Sequence, residues 1–196
     1  TEVAHQYLLA GTEHILEGYD HLLFVLCLII IAGGLKRLLW TVTGFTLAHS
    51  VTLSLATLNI FRVRTELVEI LIALSILLLA VEIIRHHDGR EQNSFTWRYP
   101  VTVSSGFGLL HGFGFAVVLQ ELGLPQSMKL EALLFFNIGV EIGQILFIVG
   151  FILIVLLARQ IPGIKQKEQA IIDVAVYAIG ACSAYWLFDR SALLLG

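Results

Sequence analysis

The chain has 196 residues, 57% of them hydrophobic and only 14% charged, with a mean hydropathy of +0.86. A soluble domain carries about a quarter charged residues, so this composition excludes an ordinary soluble protein, and a net charge of −3 gives no basic footprint for nucleic acid. Cys27 and Cys182 stand far apart in apolar runs without a CxxC pair, and read as small packing residues rather than redox or zinc ligands.

Spanning a hydrocarbon core of ~30 Å takes about 20 helical residues. Six segments are long and apolar enough: 10–34, 38–60, 66–86, 99–122, 131–158 and 169–189. They predict an all-α, polytopic membrane protein, a six-transmembrane-helix bundle forming a single domain over 1–196 that meets the lipid bilayer on its outside. The start at Thr1 leaves open a removed signal peptide or a larger N-terminal region.

The first segment carries His14, Asp20 and His21, costly groups inside a bilayer that normally face a partner, a cavity or an ion. On one continuous helix, residues seven apart return to nearly the same face, so His14 and His21 line up about two turns apart. Gly11 and Gly18 share that face and leave room for a neighbouring helix or a ligand. The second segment holds His49 on a hydroxyl-rich face of Thr43, Thr46, Ser50, Ser54 and Thr57. The third holds Glu69 near its start. The fourth holds Ser104, Gly108 and His111 on one face, and the fifth holds Asn137, Glu141 and Gln144 at i, i+4 and i+7. Such faces must turn inward from hydrocarbon. Gly33-Gly34, Asn59, Asp88-Gly89, Gly123-Leu-Pro125 and Pro162-Gly163 punctuate the connections.

The basic residues set an orientation. Connections 1–2, 3–4 and 5–6 carry eight of them (Lys36, Arg37, Arg85, Arg90, Arg98, Arg159, Lys165 and Lys167), against four at the other end (Arg62, Arg64, Lys129 and Arg190). By the positive-inside rule both termini lie outside the cytoplasm. At ~1.5 Å per residue, His21, His49, His111 and Glu141 then all come to lie roughly 15–16 Å in from the outer ends of their helices. Three imidazoles with Asp20 and Glu141 at one depth suit a first-row transition ion such as nickel, cobalt or zinc. A hard ion such as calcium would want more oxygen ligands. The expected ligands are therefore His14, Asp20, His21, His49, His111 and Glu141, with Glu69, Ser50, Asn137 and Gln144 around them to orient the set. His5, His86 and His87 lie outside the span or at its rim and read as solvated.

Five motifs in order resemble the HupE/UreJ family of bacterial membrane proteins. They are His14-x5-Asp20-His21, Phe45-Thr-Leu-Ala-His49-Ser50, Val68-Glu69 with Ile72-Ala-Leu-Ser-Ile76, His111-Gly-Phe-Gly-Phe-Ala116, and Phe136-Asn-Ile-Gly-Val-Glu141-Ile-Gly-Gln144. The last two, and isoleucine rather than proline after His14, are similar to a second branch rather than the hydrogenase-linked one. The resemblance implies a nickel or cobalt permease of the bacterial inner membrane, with His14, Asp20 and His21 carrying metal recognition. Two other readings fit the residues. An intramembrane zinc-dependent hydrolase would hold zinc on three histidines and use Glu141 or Asp20 as general base. A metal-binding assembly or accessory subunit of a membrane complex, or a homo-oligomer, would need the same site.

Overall fold

The computed structural model describes residues 2–61, 63–90, 94–115, 119 and 128–195, the last without its side chain. Among them every regular element is a helix: α1 (Glu2–Glu17), α2 (Tyr19–Ala32), α3 (Leu35–Thr57), α4 (Thr65–His87), α5 (Phe95–Arg98), α6 (Pro100–Gly114), α7 (Lys129–Ala158) and α8 (Ile164–Leu195). Four of these, α3, α4, α7 and α8, are each long and apolar enough to cross a membrane. The α1–α2 pair passes the same test together, bent by 73°, so the protein is a multi-pass membrane protein with four or five such spans among the described residues.

The expected six-span count is met only in part. The first expected span, 10–34, is two helices broken at Gly18, where the backbone is extended (φ −78, ψ 94). The expected span over 99–122 corresponds to the 15-residue α6, and most of its remainder, with the Gly123-Leu-Pro125 punctuation, lies outside the described residues. The other connections follow their turn residues: Gly33, Asn59, Gly89 and Gly163 all take positive φ, the conformation that ends a helix on glycine or asparagine.

Three helix pairs pack most closely, α1 with α7, α3 with α6, and α4 with α8, while α2 runs between them. Missing side chains explain two of these contacts. A Cβ on Gly11 would lie 2.0 Å from the Phe136 carbonyl oxygen, and one on Gly139 would lie 2.1 Å from that of Leu8. Similarly, Gly108 and Gly112 let α6 press against the backbone of Phe45 and His49. Without a hydrophobic drive between helices in lipid, such backbone approach supplies much of the association. Hydrogen bonds add to it: Thr12 Oγ1 donates to Gly139 O (3.1 Å) and Ser104 Oγ to Thr41 O (2.8 Å).

One buried cluster surrounds α2, with Phe24, Leu28 and Ile31 against Val42, Phe45, Ile76 and Ile83. A second joins Tyr7 and Ile15 to Leu53, Phe136 and Val140. Polar ties mark the two ends of the bundle. Arg37 donates to the carbonyls of Trp97 and Arg98, and His87 Nδ1 lies 2.7 Å from Asp173, at the Gly33 end. Arg190 joins Asp20 and Glu69 towards the Asn59 end.

Candidate metal centre

The break at Gly18 decides the geometry. Seven residues along a straight helix separate two side chains by about 10 Å, yet the rings of His14 and His21 are 4.5 Å apart, edge to face. His49 arrives from α3, its ring 6.1 Å from that of His14. One ligating nitrogen from each of His14, His21 and His49 lies within 4.8 Å of the other two. Zinc–nitrogen bonds of about 2.0–2.1 Å in a tetrahedron put ligand pairs about 3.3 Å apart, so small ring rotations would close this set around one ion.

Asn137 approaches the His49 ring. His14 Nε2 and both nitrogens of His21 and of His49 are buried without a hydrogen-bond partner among the described residues. Leaving such groups unpaired is expensive in hydrocarbon, and a metal ion is the ligand that neutral imidazoles would satisfy. Phe115 packs on His14 (3.8 Å between ring centres) and Phe45 on His49 (5.9 Å), so aromatic walls keep the nitrogens dry.

His111 stands beside this trio, 5.3 Å from His21 by ring centres. Its Nε2 is 3.1 Å from Ser75 Oγ, and Ser75 spends its proton on Ile72 O (2.6 Å). His111 therefore donates through Nε2, which leaves Nδ1 as a lone pair, buried and without a partner. Fixing a tautomer in this way is what outer partners do for metal-binding histidines. Ser75 and Phe115 were not among the expected site residues, although both lie inside the motifs that carry the family resemblance, Ile72-Ala-Leu-Ser-Ile76 and His111-Gly-Phe-Gly-Phe-Ala116.

The carboxylates have other partners. Asp20 Oδ2 accepts from Arg190 at 2.8 Å, and Arg190 also donates to the Glu69 carbonyl (2.9 Å), with the Glu69 carboxylate 4.0 Å away. Glu141 accepts from Thr43 Oγ1 at 2.5 Å, and Gln144 from Thr46 at 2.9 Å. Ser50 donates to Thr46 O, and Asn137 donates to Leu133 O while adjoining the His49 ring. Ser50, Asn137 and Glu141 line a groove of ≈ 530 Å³ between α3 and α7. His86 and His87, read as solvated, are engaged: His86 stacks on Trp97 at 3.7 Å and His87 bonds Asp173.

With a broken membrane helix and a histidine trio in place, comparison with known proteins is informative. A family model described as "HupE / UreJ protein" matches residues 1–190. The chain belongs to the HupE/UreJ family. No curated protein and no solved structure matches it. In this HupE/UreJ chain the first motif supplies two of the three clustered histidines and Phe45-Thr-Leu-Ala-His49 the third.

Proposed function

We propose that this HupE/UreJ chain carries a first-row transition-metal ion, nickel or cobalt foremost, across the bacterial cytoplasmic membrane. His14, His21 and His49 bind the ion in transit, and His111 joins them through Nδ1. The observation that carries the reading is the convergence of buried, unpartnered imidazole nitrogens within 4.8 Å across a broken membrane helix. Broken helices with a site at the break are how many transporters bind their cargo within the bilayer. The family resemblance supports the same cargo.

The hydrolase reading needs a general base within about 3 Å of a metal-bound water, or one water further. Asp20 is held by Arg190, and Glu141, with one oxygen on Thr43 and the other unpaired, lines the α3–α7 groove. Among the described residues no carboxylate joins the histidine cluster, whereas reversible metal binding needs no base.

The test pairs metal content with flux. Alanine at His14, His21 or His49 is expected to remove most bound nickel or cobalt from the purified protein and to stop metal uptake into proteoliposomes. Alanine at His86 should do neither. Full metal content in all three variants would reduce the trio to a packing arrangement. Retained metal binding in the wild type with no flux of nickel, cobalt or zinc would rule out transport.

A further inference from the structure

At the Asn59 end of the bundle, one arginine ties three helices together beside the histidine trio. Arg190, near the end of α8, donates Nη2 to Asp20 Oδ2 at 2.8 Å and Nη1 to the Glu69 carbonyl at 2.9 Å. Asp20 stands in the first turn of α2, immediately before His21, close enough for its charge to act on that ring. The guanidinium charge reaches His111 as well. Helix α8 packs on α4 and touches α2 little, so the ion pair crosses from the α4–α8 pair to the broken helix that carries the site. Two other resting places adjoin Arg190. The Glu69 carboxylate, half exposed, lies 4.0 Å from its Nε, and the Trp186 ring of the same helix lies 5.6 Å away, within cation–π reach. The Arg190 and Asp20 side chains are 20% and 23% exposed, so the pair has a way out towards water.

We infer that Arg190 is a tethered cation that occupies Asp20 while the histidine site is empty and gives it up, to Glu69 and Trp186, when a divalent ion arrives. The inference deepens the transport reading above and rests on it. Charge balance favours the exchange. Neutral imidazoles bring no charge, so an ion entering the trio adds two positive charges near a third. Cations so close in a low-dielectric site repel strongly, whereas a carboxylate turned from the guanidinium to the ion lowers the charge of the site. With Arg190 on it, Asp20 stays out of the histidine cluster. The tether also serves release. A site that passes ions on must not hold them too tightly, and a guanidinium returning to Asp20 competes the ion off. Arginine suits the task because it keeps its charge at any ordinary pH and its planar fork holds a carboxylate and a carbonyl together.

Isothermal titration of the purified protein with nickel tests the exchange through a double-mutant cycle. Removing the competitor should tighten binding: Arg190→Gln is expected to raise nickel affinity about tenfold, within the usual range of coupling between sites. The gain should vanish when Asp20→Asn is already present, because the exchange runs through that carboxylate. Unchanged or weaker binding by an Arg190→Gln protein with wild-type helix content and cooperative unfolding makes the ion pair a plain structural tie and overturns the inference. An equal gain in the Asp20→Asn background also overturns it, leaving charge repulsion alone. The wild type supplies a second measurement that decides if Arg190→Gln does not fold. Saturating nickel should raise the rate at which phenylglyoxal modifies Arg190 several-fold, read by peptide mass spectrometry. Arg159, paired with Glu168 on the opposite side of the bundle, should keep its rate. An Arg190 rate unaffected by nickel overturns the exchange and leaves the trio standing. Absence of nickel binding by the wild type overturns trio and exchange together.

Discussion

Gly11 and Gly139 act through the side chains they lack. Each lets the backbone of α1 touch that of α7, and α1 carries His14 into the site. Gly11→Ala would force a methyl group to within 2.0 Å of the Phe136 oxygen, so the helices must separate. We expect a loss of about 1–3 kcal/mol in thermal unfolding in detergent, the usual cost of overpacking, with weaker nickel binding. Gly150→Ala, on the same helix α7 with nothing within 4 Å of its added carbon, should be neutral or stabilising by up to about 1 kcal/mol. At this scale much was legible. Gly11 reads from spacing as a place of close approach, and the histidines read as inward because hydrocarbon leaves them no alternative. The partner of Asp20 was not legible. Arg190 lies 170 residues along the chain, and no local pattern joins them.

The α1–α2 pair shows what a helix break does that a helix face cannot. A continuous span over 10–34 keeps His14 and His21 two turns apart; the break folds them together. Gly18 has little room for a side chain, since a Cβ would sit 2.7 Å from the His14 oxygen and 2.8 Å from His21 Nδ1. Gly18→Ala should therefore spread the two rings and lower nickel affinity by about tenfold, within the range seen when a ligand's supporting partners are removed. Gly34→Ala is the control: its backbone is extended (φ −176) and its added carbon meets nothing within 4 Å. Isothermal titration of both variants checks the pair, and equal affinities would show that the break does not set the site. The spans over α3, α4 and α7 were placed within a few residues from hydropathy alone. The break was not, because segment 10–34 taken as a whole is long and apolar enough to span; the cues passed over were the polar stretch Glu17-Gly18-Tyr19-Asp20-His21 and, within it, Asp20 as an acid in the first turn of a new helix.

Across the whole molecule, the two ends carry different ties. Arg37 on the Trp97 and Arg98 carbonyls and His87 on Asp173 gather the basic connections at one end. With eight basic residues against four, that end is expected to face the cytoplasm. Single cysteines at Lys36 and Arg90 should be protected from a membrane-impermeant thiol reagent added to whole cells. Labelling at both would invert the topology and the side from which metal arrives. Inward polar faces were legible because lipid permits nothing else. Their division between a histidine trio and the α3–α7 groove that holds Glu141 was not, since depth arithmetic places Glu141 and His49 at one level without saying which way each turns.

The break has an electrical side as well. Where α1 stops, beside His14, its last carbonyls carry roughly half an electron of negative charge; where α2 starts, its first amides carry the opposite. His21 lies in that first turn, at the positive end, beside an Asp20 that is paired with Arg190. The negative potential beside His14 is made of main chain alone. Acidification cannot titrate it away and no side-chain replacement deletes it, so part of the attraction for a passing cation is written into the path of the backbone.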